Sequence, residues 1–218
     1  MRFAENGVLC PICKKRKAVR HCPAQGEKIC AVCCGTEREV SMDCPVDCVH
    51  LVTAHRYEDE HPRELPAGTP LLEVALPSDL IHIHHQFTTT LAFTVAQFCA
   101  ANSVATDSQV LDALESLAAT YKTLSSGIYY ERPPALPLAR ELYEALNKGI
   151  REVREQAERA SVPGPNDSEI FLLLVFLYRM GILRTNGRPR SRRFIEFLRR
   201  PFHNIQERKR EESRIIVP

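Results

Sequence analysis

Eight cysteines crowd the first fifty residues: Cys10, Cys13, Cys22, Cys30, Cys33, Cys34, Cys44 and Cys48, in the runs CPIC, HCP, ICAVCCG and DCPVDC. Only Cys99 follows in the rest of the 218-residue chain. A thiolate is a soft anionic ligand, and two of them a short step apart can grip one ion from a tight turn. Cys10/Cys13 and Cys30/Cys33 are C-x2-C pairs, and Cys44/Cys48 is a C-x3-C pair. Eight thiolates are what two closed four-cysteine sites need, so the sequence predicts two zinc ions. The simplest pairing joins Cys10 and Cys13 to Cys30 and Cys33, and Cys22 and Cys34 to Cys44 and Cys48, two sites interleaved along the chain. His21 and His50 neighbour ligand cysteines and read as solvated loop histidines, because eight thiolates already suffice. An iron–sulfur cluster is the alternative filling, since four thiolates suit either metal, and thiol redox chemistry is a third.

Such a module must be positioned by metal rather than by burial. Few large apolar side chains accompany the cysteines (among them Val8, Leu9, Ile12, Val19, Ile29 and Val32). A structural ion supplies the folding energy that so small a core cannot. Gly35 and the prolines after Cys10, Cys22 and Cys44 mark turns.

The alternating cysteine pairs resemble the small cross-brace zinc fingers of the HIT and MYND families over about forty residues. Those families imply a protein-binding or RNP-assembly module. Cys22 has no C-x2-C mate and no His-x3-Cys closes the module, so the resemblance is one of architecture. The longer signature CPIC, HCP, ICAVCCGTERE, DCPVDC also resembles bacterial proteins with a cysteine-rich head on a helical body, which implies no activity.

The net charge of +2 hides a division. Residues 1–60 balance nine basic against nine acidic groups, residues 61–183 carry nine against fourteen, and residues 184–218 carry eleven against four. Within the cysteine module Lys14, Lys15, Arg16 and Lys17 form one basic run, and Arg184, Arg188, Arg190, Arg192 and Arg193 form another near the C-terminus. Arginine's planar fork suits bidentate phosphate contacts. The opening residues contain no apolar signal core, and the run Ile170–Tyr178 is too short for a membrane span of ~20 residues. A soluble cytoplasmic protein is predicted, and in that compartment thiols stay reduced and favour metal.

The remainder predicts a mostly-α fold: a cysteine-rich module over 8–52, a linker over 53–70, a helical bundle over 71–200 and a basic tail over 201–218. The linker is charged and broken by prolines, and Leu71–Leu76 reads as an extended segment packed on the bundle. Ser78 or Asp79 caps a long helix with Leu80, Ile83, Phe87, Leu91, Val95 and Phe98 on one stripe, and Cys99 beside it as a packing thiol. His82 and His85 share a face but read as surface residues. Thr106-Asp107-Ser108-Gln109 opens the next helix as a capping box, and Gly127 stops it. Tyr129 and Tyr130 are expected to pack beneath their loop. A third helix covers Leu136 to Ala160. A fourth, Ser168 to Met180, is apolar all round and therefore central, with Gly181 as its stop. Ser191 caps a short helix anchored by Phe194, Ile195, Phe197 and Leu198. Glu37 and Glu39 read as partners for Arg38 and the lysine run.

No phosphate loop, nucleophile elbow or H-E-x-x-H motif occurs. The sequence therefore predicts a non-enzymatic zinc protein that contacts nucleic acid, RNA rather than DNA, through the two basic runs. The alternative is an adaptor that docks a protein partner on the zinc module.

Overall fold

The computed structural model describes residues 8–62, 64–65 and 67–202. All but the start of the expected tail, 201–218, lies outside them. The chain divides into two compact units, one of Met1–Glu64 with Arg188–Ser191, the other of Leu65–Gly187 with Arg192–Pro218.

The first unit begins with a knuckle. Leu9 bridges to Lys17, and Cys10 N–H donates to Arg16 C=O at 2.8 Å. Lys14 takes a positive φ of 53° so that its N–H can close the turn on Cys10 C=O at 2.7 Å. A two-stranded antiparallel hairpin follows, β1 (Arg20–Cys22) and β2 (Glu27–Ile29), with Gly26 at φ 70° in its loop, a conformation glycine adopts without strain. Helix α1 (Ala31–Glu37) is capped by Cys30, whose sulfur accepts Cys33 N–H at 3.3 Å. Helix α2 (Val49–Glu60) starts at Cys48, so the first part of the expected linker is helical. The turn signals of that stretch lie only at Pro62 and beyond, which leaves residues 49–60 free to continue as helix.

The second unit is all helix: α3 (Leu80–Ile83), α4 (His85–Ala101), α5 (Asp107–Leu124), α6 (Pro137–Arg159), α7 (Asp167–Arg184) and α8 (Arg193–Arg199). Its core runs through Leu91, Val95, Leu114, Leu117, Leu146 and Leu174. Helix α7 packs along α5, α6 against α4 and α5, and α8 against α4. The mostly-α class is as predicted; α7 is apolar nearly all round and well buried, but α5, which packs on α6, α7 and α8, is the more central helix.

Several details depart from expectation. The first long helix breaks at His84 (φ −105°, ψ 29°), whose ring lies 3.3 Å from Glu169. Gly181 does not stop α7 but sits inside it. A Cβ there would lie 2.7 Å from Leu111 and 2.8 Å from the Phe194 ring, so glycine permits close packing rather than termination. The stop comes after Arg184. At the other end Asn166 and Glu169 form a reciprocal cap, with Glu169 N–H on Asn166 Oδ1 at 2.9 Å and Asn166 N–H on Glu169 Oε2 at 2.8 Å. Leu71–Leu76 packs on the core as turns, not as an extended segment, because the Arg179 guanidinium gathers the carbonyls of Leu71, Leu72 and Val74. Among the described residues no helix is long and apolar enough to cross a membrane.

Candidate metal centre

The knuckle and the start of α1 bring four sulfurs together. Cys10, Cys13, Cys30 and Cys33 lie with every Sγ within 4.8 Å of the others. Cys10, Cys30 and Cys33 are buried and Cys13 is half-buried. The Cys13 and Cys30 sulfurs are 3.9 Å apart. A tetrahedron with metal–sulfur arms of about 2.3 Å has edges of about 3.8 Å, so this spacing fits a four-thiolate ion. Ile29 and Met42 are the buried non-cysteine apolar side chains packed among the cysteines of the unit's core. This is the first of the two sites the spacing predicted, and the four donors can hold one metal ion.

The electrostatics of the cluster call for a cation. Backbone N–H groups of Lys15 and Arg16 aimed at Cys13 lower its thiol to about 6, against the opposing effect of burial. Burial pushes Cys33 up to about 12, and its hydrogen bonds with Cys30, Cys13 and Cys10 add to the rise. Burial raises Cys10 as well, but N–H groups of Cys13, Cys30 and Ile12 outweigh it and the net shift is downward. Four sulfurs so close cannot all ionise beside one another unless a positive ion offsets their repulsion.

The other four cysteines line one cavity of about 10 Å³, roughly the volume a single water-sized sphere needs. Cys22, Cys34, Cys44 and Cys48 share its wall with Met42, Arg38, His50 and His21. Their sulfurs are not drawn together as the first four are. Among the described residues only the first group meets the 4.8 Å spacing. The Met42 thioether lies 3.8 Å from Cys22 Sγ. Burial raises the Cys44 thiol, an N–H from Glu39 works against that, and the neighbouring sulfurs reinforce it. His50 is half-buried, not solvated. Its carbonyl accepts from Arg38 at 2.9 Å, and burial, with Arg20 and Arg38 nearby, lowers its imidazole.

Glu39 is buried, at positive φ, with its carboxylate 3.1 Å from His55 Nε2. The sequence placed His55 in the linker, so no local pattern pointed to this pair. Glu37 accepts from Ser41 Oγ at 2.6 Å.

The basic residues separate. Lys14, Lys15, Arg16 and Lys17 are all exposed on the knuckle. Arg184 stacks over the Phe197 ring at 4.4 Å, and Arg190 is exposed. Arg192 and Arg193 are half-buried. Arg188 is committed to protein contacts: its Nη1 donates to the carbonyls of Gly35 and Arg38. Tyr129 and Tyr130 do not pack beneath their loop. They are 70% and 61% exposed, and Tyr129 donates to Glu131 at 2.6 Å. Cys99 is fully buried in the helical core, and burial pushes its thiol to about 12, as befits a packing residue. His82 and His85 are exposed, as predicted. The chain matches no family model, no curated protein and no solved structure.

Proposed function

We propose that the chain is a non-enzymatic, cytoplasmic zinc protein that binds two ions and contacts nucleic acid, RNA rather than DNA. One ion belongs to Cys10, Cys13, Cys30 and Cys33, the second to Cys22, Cys34, Cys44 and Cys48. Four thiolates on a tetrahedral ion leave no open coordination position, which favours a structural role over a catalytic one.

The observation that carries the nucleic-acid reading is the knuckle. Lys14, Lys15, Arg16 and Lys17 project to solvent from a backbone fixed by the Cys10–Arg16 and Lys14–Cys10 hydrogen bonds. A metal-held turn presents several cations without first having to order them. Phosphates reward that arrangement irrespective of sequence. Arg184, Arg190, Arg192 and Arg193 supply further cations toward the C-terminal end.

Binding to a single-stranded RNA should weaken steeply as salt rises. Replacing Lys14, Lys15 and Lys17 with glutamine should lower the log–log slope by up to about one unit per lost contact. Wild-type protein that shows no salt-sensitive binding to RNA or DNA at low ionic strength sinks the reading. One observation favours the adaptor as a second reading. The cysteine unit exposes Val8, Leu9, Val19, Val46 and Val49 by more than half, an apolar surface suited to a protein partner.

A further inference from the structure

Helix α1 is the element that both ligand sets share. Cys30 caps it, Cys33 lies in its first turn with the converged cluster, and Cys34 beside it faces the second cavity. A seven-residue helix has few internal hydrogen bonds and cannot hold itself in water. Its N-terminal end is fixed by the Cys30 cap. Its last carbonyls need donors from elsewhere.

The Glu37 carbonyl finds local donors in the Val40, Ser41 and Met42 N–H groups, whereas Gly35 and Arg38 find theirs in a segment distant in sequence. Arg188 Nη1 donates to Gly35 C=O at 3.0 Å and to Arg38 C=O. Two residues on, Arg190 N–H donates to Glu39 C=O at 2.8 Å, and the segment folds on itself through Ser191 N–H to Arg188 C=O at 3.0 Å. Arg188–Ser191 thereby belongs to the cysteine unit, although some 120 residues separate it from Glu64 in sequence. A guanidinium is suited to this place, since its cationic donors match the partial negative charge of a helix C-terminus, and here one nitrogen, Nη1, serves both carbonyls.

We propose that Arg188 is a positioning residue of the metal centre: by seating the C-terminal end of α1 it fixes where the Cys33 and Cys34 sulfurs stand. The proposal rests on the reading that these thiolates bind zinc. It assigns Arg188 a role other than phosphate contact, and the two roles predict different losses on substitution.

The experiment uses the full chain as wild type, Arg188→Gln, Arg188→Lys and Arg190→Gln. Zinc affinity is measured by competition with a chromophoric chelator, and the thiolate-to-metal absorption of the cobalt-substituted protein reports the ligand geometry. Outer residues that orient metal ligands are worth about ten- to a hundredfold in affinity, so Arg188→Gln should bind at least one ion about tenfold more weakly. Arg188→Lys, which keeps the cation on a shorter stem, should fall between it and wild type. Arg190→Gln should match wild type, because residue 190 acts through its backbone N–H. Wild-type affinity and an unchanged cobalt spectrum in Arg188→Gln would overturn the proposal. Should that variant fail to fold, wild-type affinity in Arg188→Lys would do the same. A wild-type chain that binds no zinc would instead sink the metal reading itself, leaving no ambiguity about which step failed.

Discussion

Removing metal from the whole protein should unfold one unit and leave the other. The cysteine unit buries little apolar side chain besides its thiols: Ala18, Ile29, Met42 and Leu51. Burial of the three larger ones contributes about 1.5–3 kcal/mol each, whereas a four-thiolate zinc contributes about 10–16 kcal/mol. The ion's contribution exceeds that of the apolar core, so without it the unit should not stay folded. The helical unit has no such dependence, since its core is continuous and apolar. Among the described residues, helices α1 and α2 hold 7 and 12 residues, against 4, 17, 18, 23, 18 and 7 in α3 to α8. A strong chelator under reducing conditions should therefore remove a little under a fifth of the far-UV helical signal, in a step separate from the cooperative melt of the rest. An unchanged spectrum, with metal loss verified by elemental analysis, would refute the claim that metal holds this unit. Loss of most of the helical signal would refute the independence of the helical core.

Single-site variants test the remaining assignments. Cys13→Ser should cost one zinc by elemental analysis, Cys48→Ser should cost the other, and Cys99→Ser should leave metal content unchanged. Zinc affinity should rise with pH through neutrality: the thiols of the unfolded, metal-free unit titrate near about 8.5 and hold their protons at pH 7, and binding must expel them, so each unit of pH gained strengthens binding about tenfold per displaced proton. Affinity flat across the neutral range would contradict this. Asp107→Ala should lower the stability of the helical unit by about 2–5 kcal/mol in urea denaturation, because its buried carboxylate accepts Phe194 N–H at 3.2 Å and Ile195 N–H at 3.1 Å and both donors would be stranded. Gly181→Ala should destabilise by up to about 2 kcal/mol as the new methyl meets Leu111 and Phe194, while Gly149→Ala, whose methyl would meet only Thr94 Oγ1 at 3.6 Å, should stabilise by up to about 1 kcal/mol.

Helix existence and extent were legible along the chain wherever periodicity was long. Thr106-x-x-Gln109 announced the start of α5, and Thr106 N–H does bond Gln109 Oε1 at 3.0 Å. Helix α6 came within a residue of its expected ends, and the burial of α7 followed from its composition. These features are written locally, since capping and periodic burial depend on residues within a few positions of one another. The first metal cluster was legible for the same reason. Two C-x2-C pairs each form their own turn, and the tertiary fold had only to bring two finished half-sites together.

Non-local partners decided the rest. Asp107 opens α5 yet caps α8, whose start at Arg193 no nearby residue signals as well as that distant carboxylate does. Gly181 read as a stop because glycine usually is one. Only the approach of Leu111 and Phe194 shows that a missing Cβ is the point of it. The pairing of Glu39 with His55 required a helix where charge and proline suggested a linker. In sequence Arg188 reads as one member of an arginine corner, but its guanidinium is taken up by backbone carbonyls of the cysteine unit. The fold brings Gly35 and Arg38 to it across some 150 residues, a relation that local sequence does not encode.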